Sequence, residues 1–178
     1  MKQLIDKLYH TTKLEPDEYK ALIDGRNEEL QEYLSAKARE VRIRHYGHDV
    51  YIRGLIEFTN YCRNDCYYCG IRKSNKSLER YRLTEEQILE CCRTGYGLGF
   101  RTFVLQGGED GYYTDEKMVN IIRSIKEEFP DCAVTLSIGE RSRESYKAFY
   151  DAGADRYLLR HETADEDHYA LLHPPKMS

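Results

Sequence analysis

Two periodicities divide the chain. Through residues 1–46 apolar positions recur at helical spacing, first Leu4, Ile5 and Leu8, then, after a break at Asp24-Gly25, Leu30, Leu34, Ala38 and Val41, a stripe that ends near Tyr46-Gly47. Pro16-Asp17-Glu18 has the form of a first helical turn, with Pro where no N–H is needed and acids beside the positive helix end. After Gly47 the period shortens to two. Residues 50–58, 102–105, 133–138 and 156–160 read as strands, and residues 84–96, 115–129, 142–152 and 165–172 as the helices between and after them. Thr84-Glu85-Glu86-Gln87 has the pattern of a capping box; Pro130, Gly153 and Pro174-Pro175 act as stops. The expected organisation is a helical segment over residues 1–47 followed by an α/β unit over residues 48–178.

Strands alternating with helices imply right-handed βαβ units and a parallel sheet, a class in which chemistry gathers at the C-terminal ends of the strands. Each such end here carries reactive or ligand-friendly residues: a cysteine-rich loop after the first strand, Gly107-Gly108-Glu109 after the second, Gly139-Glu140 after the third, His161-Glu162 after the fourth. Side chains two apart share a face of a strand. One parity is apolar: Ile52, Ile56 and Phe58, then Val134, Leu136 and Ile138, then Tyr157, Leu159 and His161. The other holds Arg53, Glu57 and Thr59, then Thr135 and Ser137, then Arg156, Leu158, Arg160 and Glu162. The apolar parity is expected to lie under helices. The polar parity is expected to face a lumen, where buried charge needs a ligand or a partner. An internal salt bridge of Glu57 with Arg53 or Arg156 is the other reading of the same charges.

Composition narrows the class. The chain has 178 residues, enough for one domain, with 40% hydrophobic and 33% charged residues and a net charge of -4, which gives no basic footprint for nucleic acid. The first residues have no apolar core of a signal peptide, and no apolar run approaches a membrane span. Six cysteines without a targeting segment point to the reducing cytoplasm. Sixteen tyrosines without a tryptophan read as half-buried packing surface.

Three of the cysteines, Cys62, Cys66 and Cys69, follow the first strand at C-x3-C-x2-C spacing. A disulfide framework does not suit a chain of this length and uneven spacing. A structural zinc site needs a fourth ligand at a matching spacing, and Cys91-Cys92 and Cys132 do not supply it. Three thiolates drawn to one point suit an iron–sulfur cluster that keeps one iron open. Cys91, Cys92 and Cys132 read as small buried apolar groups.

The triplet, with Tyr68 before its last cysteine, resembles the signature of radical SAM enzymes. In those, the open iron of a [4Fe–4S] cluster takes the amino and carboxylate groups of S-adenosylmethionine (SAM), and reductive cleavage yields a 5′-deoxyadenosyl radical. The match extends through Glu57-Phe58-Thr59-Asn60-Tyr61-Cys62, Arg80-Tyr81-Arg82-Leu83-Thr84, residues 104–110, residues 134–140 and residues 152–163. Together these resemble the HydE family of [FeFe]-hydrogenase maturases, related to biotin and methylornithine synthases. The resemblance implies a (β/α)8 barrel enzyme that binds a [4Fe–4S] cluster and SAM and helps assemble the hydrogenase's two-iron subsite from an organometallic or other small-molecule substrate, with other hydrogenase maturases as partners. By motif match Cys62, Cys66 and Cys69 hold the cluster. Tyr68, Gly107, Gly108, Glu109, Ser137 and Glu162 contact SAM, and Thr135, Arg156 and Arg160 line the substrate cavity.

A (β/α)8 barrel takes about 250 residues, and this sequence holds four strands. The expected fold is therefore a partial TIM-type barrel of about four β/α units, with an open edge strand and a C-terminal half as a further partner. A radical SAM enzyme of other specificity, of the methylornithine or biotin synthase kind, and an inactive iron–sulfur or zinc-binding fragment are the alternatives.

Overall fold

The structure, a computed structural model, describes residues 1–175. It forms two compact units, residues 1–51 and residues 52 onward.

The first unit is three helices, α1 (Lys2–Thr11), α2 (Pro16–Asp24) and α3 (Glu28–Tyr46). Pro16 opens α2 behind a reciprocal cap in which Glu15 and Glu18 serve each other's backbone, and the Asn27 side chain accepts from Leu30 N at 2.9 Å to start α3. The covered track on α3 differs from the expected stripe. Leu34 and Ala38 are exposed, while Leu30, Tyr33, Lys37 and Val41 are half-buried. The track is turned because its middle pairs are not purely apolar. Tyr33 donates to Asp6 of α1 at 2.7 Å, and the Lys37 ammonium stands 4.6 Å from the centre of the Tyr9 ring.

The second unit begins with β1 (Gly54–Thr59) and continues through α4 (Glu85–Gly97), β2 (Thr102–Gly107), α5 (Asp115–Glu128), β3 (Ala133–Ser137), α6 (Arg143–Asp151), β4 (Arg156–Tyr157) and α7 (Glu166–Leu172). The strands pair in parallel in the order β1-β2-β3-β4, as successive βαβ units require. Thr84 and Gln87 form the capping box of α4. Gly153, at φ 110°, turns the chain out of α6 in a conformation open to glycine.

The apolar parity of the first three strands packs under the helices. Ile56 and Phe58, Phe103 and Leu105, and Val134 and Leu136 meet Ile88 and Cys92 of α4, Met118, Ile122 and Ile125 of α5, and Phe149 of α6. Each large member contributes about 1.5–3 kcal/mol by leaving water.

The two outer strands, β1 and β4, begin and end short of expectation for the same reason. β1 starts at Gly54, not at residue 50, because its first partner in β2 is Phe103 and the residues before it have no neighbour to bond. β4 stops after Tyr157, because β3 ends at Ser137, and a last bond from Leu158 N to Leu136 O at 2.8 Å closes the ladder. Parity is lost beyond that point. A bulge at Phe58 shifts the β1 register between Glu57 and Thr59, so Thr59 turns into the interior and is 2% exposed. Among the described residues no helix is long and apolar enough to cross a membrane.

Candidate functional site

The loop after β1 carries Cys62, Cys66 and Cys69, all free thiols and all half-buried. It has little regular structure, so its shape depends on what satisfies its backbone. One side chain does most of this. The Arg80 guanidinium donates to the carbonyls of Asn60, Ile71 (2.9 Å), Arg72 (2.7 Å) and Asn75 (3.0 Å), fastening the start of the cysteine loop to its end. Asn60 adds a second clasp, accepting from Tyr81 N and donating to Glu79 O, both at 2.8 Å. Within the loop Cys69 N donates to Cys66 O at 3.0 Å, which brings the second and third cysteines onto one turn. Burial pushes the Cys66 thiol up, and the neighbouring thiols Cys69 and Cys62 act in the same direction. Among the described residues no three His, Cys, Asp or Glu side chains converge on a single-ion position. A cluster binds its cysteines at separate irons, so convergence is a demand of a mononuclear site.

The loop after β2 passes directly beneath. A Cβ added to Gly108 would stand 2.5 Å from Cys62 Cβ and 3.0 Å from Cys62 Cα, so only glycine permits this approach. At Gly107 an added Cβ would meet Thr59 Cγ2 at 2.6 Å. Glu109 follows, its side chain 14% exposed, and Arg63 of the cysteine loop clamps its Oε2 at 2.7 Å. Its Oε1 accepts from Glu140 N at 3.2 Å, and its side chain lies against Gly139, which sits at φ 78°. Glu109 thus ties three strand ends together.

A cavity of about 1230 Å³ opens over these loops. It is lined by the three cysteines, Tyr68, Gly107, Gly108, Glu109, Ser137, Arg160 and Glu162, among others. Ten of the twelve residues singled out from the sequence line it; Thr135 and Arg156 do not. Thr135 is 3% exposed and its Oγ1 has no hydrogen-bond partner; Arg156 is exposed and registers beside it on β4. Leu159 and His161, expected under helices by parity, also line the cavity, because the chain has left the strand by then. Glu162 holds a left-handed backbone at φ 62°, an uncommon conformation for a residue with a side chain and one that collects at functional sites. Glu57 accepts from Gln106 Nε2 at 3.2 Å. The ion pairs nearest the cysteines are Arg63–Glu109 and Arg82–Asp110, and neither of these involves Arg53 or Arg156.

Two parts of the site had no signal in the pattern. Arg82 binds Asp110 with two nitrogens, at 2.6 and 2.9 Å, and its guanidinium lies 3.8 Å from the centre of the Tyr61 ring, next to Cys62. His173, which the sequence pattern does not single out, is 5% exposed, lines the cavity and reaches Tyr68 Oη with Nε2 at 3.3 Å. Cys92 and Cys132 are buried as expected, whereas Cys91 is exposed on the outer side of α4.

These residues fit a cluster with SAM beside it. The donor set is three thiols on one loop with no disulfide between them. Glycine at position 108 lets the loop after β2 close directly on Cys62, where any side chain would collide with the Tyr61 carbonyl and Cys62 Cβ. The cavity exceeds the roughly 300–1,000 Å³ usual for one small molecule.

Comparison with known proteins gives a consistent result. The profile of the Radical SAM superfamily matches residues 56–177. The [FeFe] hydrogenase maturase subunit HydE of Thermotoga maritima is 48% identical over 145 residues, covering 82% of this chain and 41% of that protein. The 3-methylornithine synthase of Methanosarcina acetivorans is 32% identical over 169 residues, covering 94% and 48%. Among solved structures, methylornithine synthase PylB superposes with a TM-score of 0.83 at 32% identity over 97% of this chain and 51% of that one. The [FeFe]-hydrogenase maturase HydG gives 0.88 at 27% identity over 99% and 40%. The chain spans about half the length of these relatives, or less.

Proposed function

The chain belongs to the radical SAM superfamily, and on that premise we propose that it is the cofactor-binding part of a maturase of the HydE kind, one that helps build the two-iron subsite of [FeFe] hydrogenase. One observation carries the reading: three cysteines, two glycines, Ser137, Arg160 and the two glutamates Glu109 and Glu162, from four different strand ends, line a single cavity. Specificity for this branch is supported by the 48% identity to the HydE maturase, against 32% to the methylornithine synthase.

Cys62, Cys66 and Cys69 hold a [4Fe–4S] cluster and leave one iron for SAM. When bound, the pair supplies reductive cleavage of the sulfonium carbon–sulfur bond. The chain supplies position and shelter. The carbonyls of Gly107 and Gly108 accept from the ammonium group of SAM, while Glu109 holds the loop in place through Arg63. Tyr68 packs by the adenine. Ser137 and Glu162 bond the remainder of the cofactor. Arg160, on the cavity wall, receives an anionic or cyanide-bearing substrate, to which a planar guanidinium offers several donors at once; Arg156 and the unpartnered Thr135 hydroxyl, paired in register behind it and outside the cavity, are its second rank. The other hydrogenase maturases, a C-terminal half that closes the barrel and the cytoplasm complete this reading.

The test joins this chain to the C-terminal half of the Thermotoga relative in a host that lacks its own maturase of this kind. Hydrogenase activity should return, and Cys66→Ala should abolish it. A cluster-loaded fusion that restores no hydrogenase but forms 3-methylornithine would overturn the assignment to this branch.

A further inference from the structure

We infer that His173 is a positioning residue for Tyr68, and that the C-terminal end of α7 acts in this way as a latch on the SAM side of the cysteine loop. The inference rests on the cofactor reading above and adds a residue to it.

Tyr68 stands one residue before Cys69 and is 48% exposed toward the cavity, and within its own loop its hydroxyl is held only by the Cys66 thiol, a group the cofactor reading gives to the cluster. The His173 imidazole meets that ring edge-on, with centroids 5.5 Å apart and planes at 87°. Its Nε2 lies 3.3 Å from Tyr68 Oη, and its Nδ1 lies 2.9 Å from the Tyr169 carbonyl. A carbonyl only accepts, so Nδ1 carries the proton and Nε2 is left to accept from the phenol. The imidazole is itself held, stacked on the Tyr169 ring at 3.9 Å and 21°. A histidine 5% exposed, with both nitrogens engaged and a ring on each side, has one orientation available.

A second bond joins the same two segments. Tyr67 N donates to Leu172 O at 2.9 Å, so two successive residues of the cysteine loop are tied to two successive residues at the end of α7. The segment from Thr163 to His173 leads straight from Glu162, and Asp165 caps its helix by accepting from His168 N at 2.7 Å. One peptide thus carries both Glu162 and the group that aims Tyr68. The two walls of the SAM pocket are set by a single latch.

The variants Tyr68→Phe, His173→Phe, their double and His173→Gln separate this role from simple packing. His173→Phe keeps the stack and loses both bonds, and His173→Gln returns an amide near the position of Nε2. Each is reconstituted without oxygen. Iron per chain is counted, and the dissociation constant of SAM is measured by equilibrium filtration. Each single Phe variant should weaken SAM about tenfold, the scale of one hydrogen bond that orders a group, with iron unchanged. The double should be no weaker than either single, and His173→Gln should recover most of the affinity. Losses that multiply in the double, unchanged affinity in His173→Phe, or loss of iron in His173→Phe would overturn the positioning role. A wild-type chain that loads iron but binds no SAM would overturn the cofactor reading, and this inference with it.

Discussion

Arg82 holds Asp110 in a two-point grip behind the cysteine loop, Nε to Oδ2 at 2.6 Å and a terminal nitrogen to Oδ1 at 2.9 Å, with the Asp110 side chain only 4% exposed. Thr59 and Tyr112 N complete the carboxylate's bonds at 2.8 and 3.0 Å. Burial works against this charge, but the Arg82, Tyr112 and Thr59 bonds outweigh it and hold the Asp110 carboxyl below its usual range. A carboxyl depressed in the fold contributes stability that is full above its unfolded value of about 3.9 and is lost as pH falls through the folded value. Thermal melts should therefore be flat from neutral pH down to about pH 5 and fall below about pH 4. Asp110→Asn should remove that part of the fall. Arg82→Ala should cost about 2–3 kcal/mol, less than the 3–5 of a fully buried pair because the arginine is one-third open to water. An acid limb unchanged in Asp110→Asn would place the titrating group elsewhere.

Gly108→Ala should lose iron while Gly107→Ala keeps most of it. The first substitution drives a methyl into Cys62 and the Tyr61 carbonyl, where backbone must move. The second meets the Thr59 methyl at 2.6 Å and the Thr59 carbonyl at 3.3 Å, a collision with a residue that is not a ligand. Overpacking of this kind costs about 1–3 kcal/mol, and at Gly108 the displaced atoms belong to a ligand. Iron per chain after anaerobic reconstitution reads the difference. Equal loading in the two variants would contradict the close approach of the two loops.

The three cysteines outside the loop should be separable by alkylation. Burial pushes the Cys92 thiol up to about 12, and Cys132 is raised for the same reason. The thiolate is the reactive form. In the native chain iodoacetamide should label the exposed Cys91 and spare Cys92 and Cys132 until the protein is unfolded, as mass spectrometry of the peptides would report. Cys91→Ser and Cys132→Ala should keep their iron. Labelling of Cys92 as fast as Cys91 in the native state would contradict the packing of α4.

The sheet and most of the cavity were legible because both follow from periodicity. Alternation marked four strands, helix caps marked the turns between them, the rule that chemistry sits at strand ends gathered Cys62, Gly108 and Glu162, and polar parity added Ser137. What was not legible lies in irregular backbone. Arg80 matters because four carbonyls from residues 60–75 happen to surround its guanidinium, and no spacing announces that. His173 is separated from Tyr68 by more than 100 residues, and the contact exists only once α7 has folded back. Parity failed beyond Tyr157 because it describes a strand, and the strand ends where β3 offers no further partner. On α3, Tyr33 and Lys37 took covered positions through polar and cation–ring contacts that a hydrophobic pattern does not weigh.

The account depends most on the claim that Cys62, Cys66 and Cys69 hold a cluster with one iron open to SAM. Electron paramagnetic resonance of the reconstituted, reduced chain, recorded with and without saturating SAM, tests it most directly. The prediction is about four irons per chain, a cluster signal whose g values shift when SAM is added, and no cluster signal in Cys66→Ala. A spectrum indifferent to SAM, or a full cluster signal in Cys66→Ala, would contradict it.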